Sequence, residues 1–431
     1  MIFYKETNFG DETVIGRIPM GWKVVRIGEI CEFKRGFSYR SDQITQDMRN
    51  TRFFTINDYE KEGGFKQNGE RLYLRDEVNV DSDFILNKDD VLIANTDMSR
   101  GFIIGAPIHI ENVEGKLVYS MDSTKLIFDE NEIDGKFLFY LLKHEKVRRK
   151  MKTFAQGTNV LHLNHELVKS LRIPLPSLSE QRGIVGVLGV VDSVIAKTGE
   201  VIAKTERLKK GLMQTLLTRG IGHKEYKQTP IGTTPKTWEV VRLQDVSFDF
   251  IGGGTPSTSN PDYWDEDIAW MTSAHINGRI VTSGQKYITK KGLEESATHL
   301  IPKDNLLVAT RVGIGKAAIN KIDIAISQDL TGVIINKDKA LPDFLYWVII
   351  NNEKRLKSIA QGSTIKGILR EDLGRLLIPK PPLPEQKEIA DVLSTADKKL
   401  ELEKAEKARL ENIKRGLMDL LLTGKIRVKV D

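Results

Sequence analysis

The chain has 431 residues, 40% hydrophobic and 29% charged, with a formal net charge of +6. That composition excludes a disordered chain, leaves room for two or three domains, and favours a polyanionic partner. A single cysteine, Cys31, excludes internal disulfides and a four-cysteine zinc site; there is no N-terminal apolar segment and no 18-residue apolar run, which reads as a soluble, cytoplasmic protein.

Taken in order, residues 15–30 (IGRIPMGWKVVRIGEI) return at 231–246 (IGTTPKTWEVVRLQDV), at an offset of 216. Gly16/Gly232, Pro19/Pro235 and Trp22/Trp238 line up, with Val-Val-Arg after each tryptophan. The segments that follow, roughly 15–173 and 231–378, differ from each other. Both read as α/β mixtures of short β-branched runs broken by Asp, Asn and Gly, as in DFILNKDDVLIANT (83–96) and HLIPKDNLLVATRVGIGKAAI (299–319). Each closes on an aromatic-rich helix pattern that turns basic, 136–151 and 343–359.

The likeness then returns. Residues 155–221 align without a gap on 360–426 at an offset of 205, with 25 of 67 positions identical. Chance gives roughly one in twenty, so the chain is an internal duplication with diverged middles. PLPSLSEQ (174–181) and PKPPLPEQ (379–386) open long helices that close on GLMQTLLTRGI (211–221) and GLMDLLLTGKI (416–426). Ser177 followed by Glu180 has the form of a capping box, and Pro384 suits a first helical turn. Ile184, Leu188, Val191 and Ile195 step by four and three, and Ile389, Leu393, Leu400 and Leu417 keep the same phase. That is a heptad seam, interrupted by Thr198, Thr205, Glu403 and Lys407. About 40 residues of helix span roughly 60 Å. The expected fold is mixed α+β: two globular domains, 1–173 and 223–378, separated by helices at 174–222 and 379–431. The helices are expected to pair as an antiparallel coiled coil with pseudo-twofold symmetry.

The doubled P-L-x-E-Q opening, the G-L-M-x-x-L-L-T closing, the two Pro-x-x-Trp motifs and GGGTPSTSNPDYWDEDIAWM (252–271) resemble the specificity (S) subunits of type I restriction-modification enzymes. The resemblance covers essentially the whole chain. It implies two target recognition domains, each reading one half of a bipartite site in double-stranded DNA, with no catalysis in this chain. It also implies that the helices set the spacer and dock two methyltransferase subunits, with restriction subunits joining through the complex. S-adenosylmethionine, ATP and magnesium would then belong to the partners. The first domain departs from the pattern, since KRGFSYRSDQI (34–44) keeps only Gly36 in register with Gly252.

DNA readers take affinity from phosphate contacts and specificity from side chains at base edges. Loops offering Arg, Lys, Ser and Thr among glycines are therefore the candidates: Lys34, Arg35, Arg40, Ser99 and Arg100 in the first domain, and Thr255, Ser257, Arg279, Arg311 and Lys316 in the second. The cluster Arg148, Arg149, Lys150 and Lys152 reads either as a phosphate contact or as a helix end satisfying its dipole. Several enzyme-like matches fail on chemistry. Asn260-Pro261-Asp262-Tyr263 lacks the second proline of an adenine-methyltransferase core. Gly313-Ile314-Gly315-Lys316 lacks the spacing of a P-loop, and His162 and His165 stand three apart without a Glu-x-x-His arrangement, which reads as two ordinary polar positions. Asp343 with Glu385 and Lys387 is a chance nuclease match, as the last two open a helix. A coiled-coil scaffold with duplicated protein-binding domains is the alternative, as is a recognition array detached from a fused nuclease–methyltransferase.

Overall fold

The computed structural model describes residues 2–66, 71–98, 101–361 and 367–429. Six helices position the rest: α1 (Gly135–Lys143), α2 (Glu145–Lys152), α3 (Leu178–Arg219), α4 (Pro342–Asn351), α5 (Glu353–Ile359) and α6 (Leu383–Leu422). The chain divides into two compact units, residues 1–198 with 406–431, and residues 199–405. Each long helix therefore contributes one end to each unit.

In the first unit an antiparallel sheet runs Pro107–His109, Val91–Ala94, Ser123–Ile127, Glu32–Arg35. In the second the order is Ala317–Asn320, Asn305–Ala309, Leu330–Ile335, Ser247–Gly252, with a short fifth strand outside the first of these. The topology is the same. Each unit also has a second sheet with one parallel pairing, Thr51–Phe54 with Lys116–Tyr119 and Trp264–Met271 with Ile324–Ile326. The duplication thus extends through the segments whose sequences had diverged.

The conserved ends are explained by one junction built twice. In the first unit the Trp22 indole Nε1 donates to Glu180 at 3.0 Å, inside the core. In the second, Trp238 donates to Glu385 at 2.9 Å. The Pro-x-x-Trp and P-L-x-E-Q motifs recur together because they bind each other. The neighbouring glutamine does comparable work. Gln181 accepts from the Asp134 amide at 2.8 Å and donates to Glu132 and Pro176 carbonyls; Gln386 accepts from Leu341 at 2.9 Å and donates to Lys339 and Pro381. Both glutamines are fully buried, so each ties the segment leading into α1 or α4 to the start of a long helix. The closing motif completes the junction: Gly220 and Gly424 adopt φ of +65° and +68°, and a Cβ on either would meet the indole of Trp238 or Trp22 at 3.0 Å or less.

Ser177 does cap α3, accepting from the Glu180 amide at 3.3 Å. The Glu180 carboxylate does not complete a capping box; Trp22 and Arg427 take it instead, Arg427 at 2.5 and 2.8 Å. A buried pair with two charge-assisted bonds outcompetes one exposed amide.

Within each unit the two long helices run antiparallel. In the first, Asp192 of α3 binds Lys414 of α6 at 2.5 Å, and Ile184 and Leu188 share a core with Met418, Leu421 and Leu422. In the second, Lys209 pairs with Asp397, Glu206 with Lys404 at 2.7 Å, and Leu217 packs with Ile389 and Leu393. Leu400 is buried, while Val191, Ile195 and Leu417 are half-buried. The Asp–Lys clamp is itself duplicated. Lys414 lies over the Tyr140 ring and Lys209 over Trp347, so α1 and α4 are each pinned to the helical pair by an aromatic ring beneath a lysine.

Candidate nucleic-acid interface

At one end of the main sheet in each unit, three segments leave the strands together. In the first unit they are 36–40, 95–98 and 120–122; in the second, 253–260, 310–316 and 327–329. The antiparallel register forces this convergence, because Arg35 lies opposite Thr124 and Ala94 opposite Ser123, as Gly252 lies opposite Thr331 and Ala309 opposite Leu330.

That register corrects the alignment of the glycines. Thr124 corresponds to Thr331, so Arg35 corresponds to Gly252 and Gly36 to Gly253. A β-bulge between Ser247 and Asp249 adds the extra residue. The backbone bonds agree: Phe37 donates to the Tyr119 carbonyl as Gly254 does to that of Ile326, and a Cβ on Gly36 or Gly253 would lie 2.2 or 2.0 Å from a carbonyl oxygen of the facing segment. Neither position can carry a side chain without moving the backbone. Gly36→Ala and Gly253→Ala should each disturb one unit's converging loops and spare the other's; if those loops read DNA, each change costs base preference in one half-site only, and a loss in both halves would show that the loops are not the determinant.

In the first unit the three segments are cross-linked by polar contacts. Arg35 Nε donates to the Met121 carbonyl at 2.9 Å, as does Asn95 Nδ2 at 3.1 Å, and the Thr96 hydroxyl donates to Asp122 at 3.0 Å. His165 Nε2 stands 2.9 Å from Asn95 Oδ1 and 3.3 Å from the Thr124 hydroxyl. Burial holds its pKa below the usual histidine value, and Arg35 and Lys169 add to that. Burial, with Asp122 beside it, pushes the Tyr39 phenol up. In the second unit the Thr255 hydroxyl donates to Gln328 at 2.7 Å, and Trp264 Nε1 donates to the Ser257 carbonyl at 3.0 Å. Trp264 meets Trp270 edge-on at 5.3 Å beneath Lys286.

The sequence candidates divide accordingly. Arg35, Arg40, Thr255, Ser257, Arg311 and Lys316 lie on or beside the converging segments, and Arg311 and Lys316 are exposed with no ion pair to any described residue. Lys34 is paired with Asp83, and Arg279 with Asp343 at the start of α4, so both charges are already balanced. Ser99 and Arg100 lie outside the described residues. In the basic cluster, Arg149 binds Glu145 and Lys150 covers Phe154, while Arg148 is buried. The enzyme-like matches have structural roles: Asn260 caps the turn Pro261–Tyr263, and Gly313–Lys316 is the turn between two strands. Tyr39, Gln328 and Asp329 were not singled out from sequence, and Asp122 was weighed only with Ser123 as part of a catalytic triad, which no ordered partner supports. The repeated Ser-x-Asp at 120–122 and 327–329 would have marked three of them.

The family model of the type I restriction modification DNA specificity domain matches twice, over residues 19–207 and 235–412. The chain belongs to this family. A specificity subunit of the MjaX type I restriction enzyme of Methanocaldococcus jannaschii is 32% identical over 99% of this chain and 98% of its own. The MjaVIII specificity subunit of the same organism is 28% identical over 100% and 98%. Among solved structures, a type I S subunit from M. genitalium has a TM-score of 0.57 at 16% identity, covering 93% of this chain and 96% of that one. A chain from a study of type I R-M complex assembly has a TM-score of 0.58 at 19% identity, covering 95% and 99%. These two share the fold. The two family matches coincide with the two copies of the motif-bearing framework, so each specificity domain carries its own Trp–Glu pair and its own set of converging loops.

Proposed function

We propose that this chain is the DNA-reading, non-catalytic subunit of a type I restriction-modification complex. Domains 1–173 and 223–378 would each read one half of a bipartite site, and the helices at 174–222 and 379–431, as an antiparallel coiled coil, would set the spacer. The observation that carries the reading is the pair of topologically identical sheets whose loops converge at corresponding ends yet carry different side chains. Loops built alike and furnished differently suit two half-sites of different sequence. The major groove, where all four base pairs differ in their donors and acceptors, is the expected reading surface.

Two methyltransferase subunits are the proposed protein partners, with restriction subunits joining through them in the cytoplasm. Support comes from apolar side chains that α3 leaves in solvent, Val190 and Val194 in the first unit and Val201 and Leu208 in the second. Among the described residues no helix is long and apolar enough to cross a membrane. S-adenosylmethionine, ATP and magnesium are assigned to the partners.

The test is a modified-base map of DNA from cells expressing this chain with the methyltransferase encoded beside it. A bipartite motif that disappears when this chain is omitted is expected; no motif from soluble, co-purifying proteins would overturn the reading. Replacing 231–378 with the matching segment of a relative should then change one half-site and leave the other as it was. Changes in both would mean that the domains do not read independently.

A further inference from the structure

We infer that Arg148 of α2 is a positioning residue for the reading surface of the first domain, acting through the backbone of residues 101–105. This rests on the proposed function for what the surface reads, while the geometry stands by itself.

Arg148 is 2% exposed, and its guanidinium pairs with no carboxylate among the described residues. It binds backbone instead: Nη1 donates to the Ile104 carbonyl at 2.5 Å, and Nη2 donates to the carbonyls of Phe102 at 3.1 Å and Lys61 at 3.4 Å. A planar fork on three carbonyls fixes two loops against α2 at once, which a lysine's single ammonium cannot reproduce. Its Nε is buried without a hydrogen-bond partner, and burial pulls the guanidinium pKa down to about 10. An arginine buried at such cost is held by what it organises.

What it organises continues into the converging loops. The amide of Ile103, between the two bound carbonyls, donates to Asp97 Oδ2 at 2.8 Å. Thr96, next to Asp97, donates to Asp122, on which Tyr39 also bears. A path of direct bonds therefore leads from α2 through Ile103 and Asp97 to Asp122, at the centre of the segments from which base contacts are expected. Among the described residues of the second domain no arginine is buried in this way. Gly105, where a Cβ would lie 3.3 Å from Arg148 Nη1, is matched by Gly315, where a Cβ would meet Glu353 at the start of α5. Dependence on an arginine is thus specific to one half-site.

Arg148 and Ile103 also line a cleft of about 1330 Å³ within the first unit. A small cation can therefore reach the space left by a truncated side chain, which supplies a readout that simple destabilisation does not.

The experiment uses the full chain with its methyltransferase, carrying Arg148→Ala or Arg148→Lys. Discrimination against base changes in the half-site read by the first domain should fall about tenfold in the alanine variant. The other half-site should be unchanged, and hydrogen exchange should rise at the amides of Ile103, Gly105 and Ala106. Low guanidinium added to the alanine variant should restore part of the discrimination, and the lysine variant should lie between. Unchanged exchange at those amides with unchanged discrimination would overturn the inference, as would an equal loss in both half-sites without guanidinium rescue. If Arg148→Ala does not fold, Arg148→Lys decides on the same two readouts. A wild-type complex with no bipartite preference would overturn the proposed function instead, and the exchange at Ile103 would still decide whether Arg148 orders the loop.

Discussion

Glu180→Ala should destabilise the first unit by about 3–5 kcal/mol, the usual cost of removing one partner from a buried ion pair. Glu180 is 3% exposed; its carboxylate holds both the Trp22 indole and the Arg427 guanidinium. Alanine leaves the indole N–H without an acceptor and Arg427 with only Glu6, at 2.9 Å, to balance a charge packed against Trp22. The equivalent Glu385→Ala should cost less, about 1–3 kcal/mol. There Glu385 is half-buried and its second partner, His223, makes a single contact at 2.8 Å, whereas Glu180 is buried and holds a guanidinium by two bonds. Cys31 offers a local measurement. It is buried in the core of the first unit, and burial pushes its thiol up to about 12, so a thiol reagent reacts only when that core opens. Glu180→Ala should speed its modification by about a hundredfold or more, and Glu385→Ala should leave the rate near wild type. Equal acceleration by both variants would refute the asymmetry.

Inserting four residues into each long helix, after Ala203 and after Ala408, should lengthen the spacer of the recognised site and change no base within either half. Both positions are exposed and lie at the same place in the two copies, 205 residues apart. Four helical residues add about 6 Å, which corresponds to roughly two base pairs at about 3.4 Å each. Methylation mapping measures the result directly. An altered base within a half-site would count against the helices as spacer, and so would an unchanged spacer in a folded variant.

What was legible in the sequence was the framework. The Trp, Glu-Gln and Leu-Leu-Thr motifs had to remain alike because they touch one another, and substituting any one strands the partner it binds. The sheets between them were not legible as copies. A strand asks only for alternation and turn residues, which many sequences satisfy, so Val91–Ala94 and Asn305–Ala309 occupy the same place with little text in common. The glycine register failed by one residue because a bulge leaves no mark in sequence. The capping-box reading of Glu180 failed for a different reason. Its true partners lie 158 and 247 positions away, and local spacing cannot weigh a tertiary bond against a local one. Arg148 was read within a run of bases, and only burial distinguishes it from Arg149 beside it.

The first unit takes its parts from both ends of the sequence: strand Ile2–Lys5 pairs with Ile426–Lys429, and Arg427 reaches Glu180. On a ribosome, where the chain emerges from its N-terminal side, this sets an order of assembly. Residues 199–405 can complete their own unit while the first still lacks Met418, Leu421, Leu422 and Arg427. Until those arrive, Ile184 and Leu188 lack the part of their cover that α6 supplies, and Glu180 lacks its arginine. Nascent protein therefore passes through an interval in which one reader is finished and the other stands open, and that interval is when chaperones or proteases would find it.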